Sequence, residues 1–273
     1  MKKALLLGLT MFSTSLWAET THQLEQQWLV EGLRTPESVL YYQQGDFLFV
    51  SEVEGQPSDL DGKGGIAKVS VDGKLLEQDW VRDLNAPKGM GVYQDKLYVS
   101  DISEVVVISI SQGKVVKKIP VADSVFLNDI AVNKAGDVFV SDSHTGKIHR
   151  IRGEKVETYL TDLTGVNGLA TVGDDLIIGN DKLWRADSEK KLHLIAEGFA
   201  SNLDGIEMTA PGEYLVSCWV GLMYYVHQDG RVELLQDSRE EKINTADIGY
   251  NAAQRVVYVP NFFKNSVTAY QVK

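Results

Sequence analysis

The chain is poor in cysteine, in basic residues and in long apolar runs. Cys218 is the one cysteine among 273 residues, so no intrachain disulfide can form. After residue 18 no segment reaches the run of about 18 apolar residues that a membrane span needs, and we expect no span. Acidic residues outnumber basic ones, 38 to 27, and the net charge of −11 argues against nucleic acid as a partner.

The N-terminus differs in composition from the rest of the chain. Lys2 and Lys3 precede an apolar run from Ala4 to Met11, and small polar residues lead on to Ala18. This order is typical of a secretory signal peptide that is cut after Ala18. We therefore expect residues 1–18 to be removed, residues 19–273 to form a single domain, and the mature protein to be periplasmic or secreted.

A unit of two strands and a turn returns six times after residue 35. In the third unit, Asn128 opens an apolar strand, a turn with a glycine follows, and a second strand ends at Asp142. Hairpins that recur about every 40 residues are typical of a β-propeller. The sequence predicts an all-β, six-bladed β-propeller whose ring is closed by an N-terminal strand at residues 26–30. The longer first unit contains a Gly- and Asp-rich loop, residues 54–65, which lacks the EF-hand pattern and which we expect to be only a turn.

Each unit carries two landmark positions, polar in most units, one where the first strand begins and one where the second strand ends. In a hairpin these two places are neighbours, so both series should lie at one face of the disc. The first landmarks are Glu37, Lys88, Asn128, Asn167, Asp204 and Ala246, and the second landmarks are Glu52, Asp101, Asp142, Asn180, Cys218 and Asn261.

Four of the first landmarks carry a carboxylate or an amide oxygen: Glu37, Asn128, Asn167 and Asp204. Equivalent positions of the blades meet around the axis of a propeller, so these oxygens should converge. Two carboxylates and two amides form a hard-oxygen set that suits Ca²⁺, Mg²⁺ or Mn²⁺ and lacks the histidine or cysteine of a tight zinc site. We expect one divalent cation there, calcium before magnesium or manganese.

The four positions resemble those of the senescence marker protein/gluconolactonase family, also called regucalcin-like, and more distantly those of the paraoxonases. The resemblance implies a six-bladed propeller in which the four side chains bind one metal, Asn128 also touches substrate, and Asp204 positions or deprotonates water. It covers nearly all of the mature chain and is carried by Glu37-Ser-Val-Leu-Tyr41, Phe126-Leu-Asn-Asp129, Val166-Asn-Gly168 and Leu203-Asp-Gly205.

The function expected from these residues is metal-dependent hydrolysis of a lactone or related ester, a small-molecule substrate. Lys88 stands where paraoxonase-like relatives place a histidine, and three roles are open for it. It could attract a substrate anion, stabilise the oxyanion, or occupy the metal site with its own ammonium. Asp101, Asp142 and His144 lie on the same face and are candidates for substrate contact. Ser38 stands where paraoxonases have a second acid, so no second metal is predicted.

Two other classes compete with the hydrolase. A non-catalytic propeller could bind a ligand or a protein partner at the same face, but it would not need four converging oxygens. A lyase-like propeller would depend on a different acid or on a histidine. Sugar lactone, acyl lactone and phosphoester all stay open as substrates. The scattered histidines share no landmark position and are expected to be surface or strand residues: His22, His149, His193 and His227.

Overall fold

Six four-stranded antiparallel sheets make up the fold. The computed structural model describes residues 22–273, so the predicted signal peptide lies outside the described residues. Within that range the only helix is one 3-10 turn, Phe262–Lys264, and no helix has the length and apolarity needed to cross a bilayer. The all-β, six-bladed propeller that the sequence predicts is confirmed.

Each sheet is one blade, and its strands follow one another in chain order from the axis outward. From inner to outer strand, blades one to three are β2 (Pro36–Tyr42), β3 (Phe47–Glu52), β4 (Gly64–Ser70) and β5 (Leu75–Leu84); β6 (Pro87–Tyr93), β7 (Lys96–Asp101), β8 (Glu104–Ser109) and β9 (Lys114–Pro120); and β10 (Leu127–Val132), β11 (Val138–Asp142), β12 (Lys147–Arg152) and β13 (Lys155–Leu160).

Blade six is the exception to this order, because its outer strand is the first strand of the chain. Blades four to six are β14 (Leu169–Val172), β15 (Asp175–Gly179), β16 (Leu183–Ala186) and β17 (Leu192–Ala196); β18 (Ile206–Ala210), β19 (Glu213–Cys218), β20 (Leu222–Val226) and β21 (Val232–Asp237); and β22 (Gly249–Asn251), β23 (Val256–Pro260), β24 (Ser266–Val272) and β1 (Leu24–Glu31).

Strand β1 links the last blade to the first. It pairs antiparallel with β24, and a bulge between Gln26 and Trp28 shifts the register. The indole nitrogen of Trp28 donates to the carbonyl of Val71, in the turn after β4 of blade one, at 2.9 Å. Backbone pairing therefore joins β1 to the last strand of the chain, and a side-chain bond joins it to blade one.

The hydrophobic core is divided among the spaces between blades. Phe49 and Ile66 of blade one pack with Leu97 and Val106 of blade two, and equivalent clusters fill the other spaces. A blade is thus covered on both faces, which explains why the middle strands read as nearly continuous apolar runs rather than as alternating ones. In β11, for example, every residue from Val138 to Asp142 is buried.

Both landmark series lie at the same end of the blades. Leu127, the residue before the landmark Asn128, pairs with Asp142, and Pro87, the residue before Lys88, pairs with Asp101. The hairpin argument is therefore confirmed. We refer to this side of the disc as the landmark face.

The blades approach one another so closely at the axis that two glycines there have no room for a side chain. A Cβ on Gly168 would lie 1.8 Å from the backbone oxygen of Asp204, and one on Gly205 would lie 2.3 Å from the backbone nitrogen of Ile248. Each glycine directly follows a first landmark. After Asn167 and Asp204, the close approach of the neighbouring blade therefore requires a glycine.

Gly168→Ala should destabilise the protein by about 3 kcal/mol or more, because the new methyl group clashes with backbone that no rotamer change can move. Gly173→Ala is the control: its φ is +64°, but open space surrounds it, so only strain of about 1 kcal/mol is expected. Urea unfolding measures both. Equal losses in the two variants would contradict close packing at the axis.

Candidate functional site

A cavity of about 390 Å³ opens on the landmark face at the axis. Five of the six first landmarks reach it, among them all four predicted metal ligands. The structure thus brings together the residues that the repeat placed in equivalent positions. The wall of the cavity is formed by Glu37, Gly55, Gln56, Pro57, Lys88, Phe126, Asn128, Asn167, Asp204, Trp219, Phe262 and Phe263.

The inner strands fix the landmark residues through their backbone. The amide of Asn167 donates to Gly179 at 2.9 Å, and that of Asp204 donates to Ser217 at 2.7 Å, so each landmark is tied to the second strand of its own blade. The hydroxyl of Ser217 then donates to Ala246 of blade six, also at 2.7 Å. Neighbouring landmarks are held in place by bonds within and between blades.

Two oxygens in the cavity wall are buried and have no hydrogen-bond donor. Asn167 donates from Nδ2 to Asp204 Oδ1 at 2.9 Å, and its own Oδ1 is left without a partner. Glu37 Oε2 is also buried without a hydrogen-bond partner. Buried acceptors without donors are unusual and call for an explanation. Together with Asn128 and Asp204, they fit the hard-oxygen donor set of a divalent cation.

Electrostatics in the cavity also favour a cation. Burial, and then the nearby Asp204, raise the pKa of Glu37 well above its usual range, while Lys88 acts in the opposite direction. Burial and Asp247 likewise raise the pKa of Asp204, against the hydrogen bond from Asn167. Both carboxyl groups are destabilised as anions by burial and by like charge, and a positive ion between them would reverse that.

Lys88 is buried in the same cavity wall as the four predicted ligands, and its ammonium group binds backbone carbonyl oxygens. Its Nζ donates to the carbonyl oxygens of Ala86 at 2.9 Å and Pro57 at 3.0 Å, and it lies 4.4 Å from the ring centroid of Phe126. In the part of the chain that the structure describes, it forms no ion pair with Glu37. Burial lowers the pKa of Lys88, and Glu37 and Asp101 partly oppose this.

The loop at residues 54–65 contributes to the site, which its sequence did not suggest. Gly55, Gln56 and Pro57 line the cavity, and the bond from Lys88 to Pro57 holds them over it. The expectation that this segment is only a turn was therefore incomplete. Asp61 does form a local turn, since its Oδ1 accepts from the amide of Lys63 at 3.1 Å.

Asp101 and Asp142 do not line the cavity, contrary to the expectation that they contact substrate. Both are fully buried. Asp101 accepts from the amides of Asn85 and Ala86, and Asp142 accepts from the amides of Val125 and Phe126. Their carboxylates anchor the loop that leads into the first strand of their own blade, so their oxygens already accept hydrogen bonds.

His144 also lies outside the wall of the cavity. It is exposed, and its ring stacks on Phe126 with centroids 4.5 Å apart. Phe126 itself lines the cavity. His144 therefore supports a wall residue from behind. It does not itself line the cavity, where the sequence predicts that it contacts substrate.

Apolar rings form the outer part of the cavity. Phe126, Trp219, Phe262 and Phe263 all line it, and Trp219 and Phe263 are 40% and 66% exposed. The ring of Phe262 packs edge-on against the rings of both Trp219 and Phe263. Exposed aromatic side chains at a concave site mark a surface that binds apolar groups. The pattern did not single these residues out, although the two Phe directly follow the landmark Asn261.

Below the cavity, a second ring of side chains faces a small central channel of about 60 Å³. Asp129 and Asp247, each next to a first landmark, line it together with Glu207. Asp129 accepts from the amides of Ile130 and Leu169, both at 2.6 Å, and Asp247 accepts from the hydroxyl of Ser38. Sequence reasoning missed these carboxyl groups. The signal was available for Asp129 and Asp247, because each directly follows a first landmark and so lies deeper along the propeller axis.

No protein-family model and no curated protein sequence matches the chain. Among solved structures, a streptogramin B lyase superposes with a TM-score of 0.65 at 12% identity, covering 92% of this chain and 98% of the lyase. An inactive histidine-to-alanine variant of virginiamycin B lyase from Staphylococcus aureus, crystallised with quinupristin, gives 0.60 at 12%, covering 89% and 99%. A candidate gluconolactonase gives 0.66 at 14%, covering 93% of each chain. At such identities the likeness establishes the propeller fold alone.

The channel carboxyl groups make stability depend on pH. Burial raises the pKa of Asp247 to about 7, and burial with the charge of Asp247 raises that of Glu207 to about 8. In the unfolded chain both pKa values are about 4. The folded protein therefore binds protons that the unfolded chain has released, so their contribution to stability is complete below about pH 4 and is lost as the pH rises through the folded values.

In the presence of a chelator, the free energy of unfolding should fall by more than about 1 kcal/mol between about pH 5 and pH 8. Asp247→Asn should flatten this fall, whereas Asp123→Asn, at an exposed aspartate, should not. Urea unfolding at a series of pH values tests this. If Asp247→Asn keeps the wild-type slope, the pH dependence comes from elsewhere.

Proposed function

We propose that this protein is an exported, divalent-metal-dependent hydrolase that opens a lactone or a related ester. The observation that carries the proposal is the convergence of two carboxyl and two amide side chains on one cavity, where Glu37 Oε2 and Asn167 Oδ1 are buried without a donor. A propeller that only recognises a ligand has no need for such oxygens.

Glu37, Asn128, Asn167 and Asp204 would hold the cation, which we propose is calcium before magnesium or manganese; all the donors are oxygens, which suits these three hard cations. When bound, such an ion polarises a carbonyl and stabilises negative charge that develops on its oxygen. The raised pKa values of Glu37 and Asp204 support this assignment, since a positive charge beside them restores their carboxylate forms.

Asp204 is the residue that positions and deprotonates the attacking water in this proposal. Its Oδ1 is held by Asn167 Nδ2 at 2.9 Å, which fixes the plane of the carboxyl group and leaves Oδ2 for the water. Asn128 donates from Nδ2 to Ser143 Oγ at 3.2 Å. This bond orients the Asn128 oxygen, which would be shared between the cation and the substrate.

Lys88 has one donor left for substrate. An ammonium group carries three N–H donors, and the carbonyl oxygens of Ala86 and Pro57 use two of them. The third can bind a carbonyl oxygen as it becomes an oxyanion. The group is buried, so the interaction is not weakened by water. This assigns Lys88 to oxyanion stabilisation and leaves the cation site to the four ligands.

The outer wall indicates which part of the substrate points outward. Phe126, Trp219, Phe262 and Phe263 would enclose an apolar acyl or aryl group and exclude water from the reacting carbonyl. A sugar lactone, whose hydroxyl groups need donors and acceptors, fits this wall poorly. Among the three substrates that the sequence leaves open, the cavity therefore favours the acyl lactone over the sugar lactone.

Export is part of the proposal because the N-terminal residues have the order of a signal peptide. Lys2 and Lys3, then Ala4 to Met11, then Ala18 follow the charged, apolar and cleavage segments of such a signal. Cys218, the single cysteine, is fully buried and its pKa is raised to about 12, so oxidising surroundings would leave it unreactive.

A ligand-binding propeller is the second candidate, and the exposed rings of Trp219 and Phe263 favour it. The lyase alternative has less support. One of the lyases named above is inactive after a histidine is replaced, and among residues 22–273 no histidine lines the cavity of this protein.

Asp204→Asn should abolish stoichiometric calcium binding and lower kcat/KM for lactones by about 10²- to 10⁴-fold, since it removes a charged ligand and the proposed base. Metal analysis and calorimetry measure binding, and a panel of apolar and sugar lactones, with and without chelator, measures activity. Asp123→Asn, a surface change, is the control and should behave like wild type. Wild-type protein that binds no divalent metal, or that keeps its activity in chelator, would refute the metal-dependent hydrolase.

Lys88→Met should change metal binding and catalysis in opposite directions. Without the ammonium, calcium affinity should rise about tenfold, because a like charge beside the site has been removed. At the same time kcat/KM should fall about 10²- to 10³-fold with the loss of the oxyanion donor. Calorimetry and lactone kinetics on one preparation test both. Unchanged activity with tighter calcium binding would exclude Lys88 from the reaction.

A further inference from the structure

Two of the histidines that the sequence left scattered meet on one glutamate, far from the cavity. His22 Nδ1 lies 3.0 Å from Glu233 Oε2, and His227 Nε2 lies 2.9 Å from the same oxygen. One potential ligand atom from each of the three residues can be chosen so that all lie within 4.8 Å of one another. The sequence predicts surface or strand residues at these positions, and the structure brings this pair together around one carboxylate.

The fold, rather than the local sequence, brings the three residues together. His22 lies just before β1, the outer strand of blade six, whereas His227 follows β20 and Glu233 lies in β21, both in blade five. Strand β20 starts near Cys218 at the landmark face and runs away from it. The cluster therefore lies between two blades, on the face opposite the cavity.

The three side chains of the cluster are largely buried, and other contacts hold them in place. The side chains of Glu233, His227 and His22 are only 5%, 12% and 17% exposed. Glu233 Oε1 also accepts from the backbone amide of His22 at 3.0 Å, which fixes the carboxylate. The ring of Tyr225 stacks on that of His22 with centroids 3.7 Å apart, and its hydroxyl donates to Glu213 at 2.6 Å. Ring orientation is thus set before any ligand arrives.

We propose that His22, His227 and Glu233 form a second metal site, which binds a borderline divalent cation such as Zn²⁺ through two imidazole nitrogens and one carboxylate oxygen. Zinc in proteins takes such ligands at about 2.0–2.2 Å, so tetrahedral donors lie about 3.3–3.5 Å apart. The observed N–O separations are a few tenths of an ångström shorter, because hydrogen bonds now join these atoms. A small outward shift would admit the ion in place of the bridging protons.

The donor chemistry separates this site from the cavity. The cavity offers only oxygens and suits calcium, whereas two imidazoles favour zinc, copper, nickel or cobalt. His193 is the useful comparison, since its Nε2 pairs with Asp187 at 2.7 Å but no second histidine joins them. One His–Asp pair is an ordinary surface contact, while two histidines on one buried carboxylate form a chelating set.

Binding at this site would join the N-terminal segment of blade six to blade five. An ion that binds the folded protein and not the unfolded chain stabilises it by mass action. Saturating Zn²⁺ should therefore raise Tm by about 5 °C. The effect rests on the geometry of the cluster and not on the proposed hydrolase activity.

Copper EPR on tag-free, calcium-saturated protein gives the sharpest test, because nitrogen ligands split the Cu²⁺ signal and an all-oxygen site does not. Wild type, Asp204→Asn and the control His193→Ala should show splitting from two nitrogens and bind one equivalent of Zn²⁺ by calorimetry. His227→Ala should lose the two-nitrogen pattern, because only the imidazole of His22 remains, and should weaken Zn²⁺ binding about 100-fold or more, since it removes a ligand.

His227→Gln gives a second variant that can keep a hydrogen bond to Glu233, in case His227→Ala fails to fold; far-UV circular dichroism and Tm report on folding. A two-nitrogen pattern that persists in either folded variant, or no nitrogen splitting in wild type, would overturn the proposal. Loss of lactone hydrolysis in Asp204→Asn with Zn²⁺ binding intact would show that the two sites are independent.

Discussion

Negative charge confined to the propeller axis is the constraint on which the rest of the structure depends. Glu37 and Asp204 face the cavity, and three more carboxyl groups lie just below them, so ionisation of one raises the pKa of the next. Two unit charges 4 Å apart interact by about 4 kcal/mol at an effective dielectric constant of 20. Protons or a cation must neutralise such a set. Proton uptake and cation binding are then two alternative ways to neutralise the same carboxylates.

The close approach of the blades is what concentrates this charge. Gly168 and Gly205 let neighbouring inner strands touch through their backbones, and Ser217 bonds across to the next blade. These contacts leave little freedom for the landmark side chains to move apart. A site that must hold several oxygens within a coordination sphere gains from such rigidity, because the cost of bringing the ligands together is met by folding. The same rigidity explains why buried acceptors without donors persist.

Much of this arrangement could be predicted from sequence, and the remainder could not for definite reasons. The repeat fixes which residues are equivalent, so the fold and the set Glu37, Asn128, Asn167 and Asp204 followed from spacing. Side-chain direction does not follow from spacing. Lys88 points toward the carbonyl of Pro57, and Asp101 points toward the backbone amide of Ala86. Contacts between distant segments are hidden too, which is why the loop at residues 54–65 and the aromatic wall were missed.

The two proposed metal sites would act on different parts of the ring. A cation at the axis would bridge the inner strands of four blades and relieve repulsion that folding creates. An ion on His22, His227 and Glu233 would instead tie the segment before β1 to blade five. The landmark oxygens hold their positions only while the ring is closed, and β1 is the strand that joins blade six to blade one. The outer cluster would therefore support the cavity through the stability of the ring and not through the chemistry of the reaction.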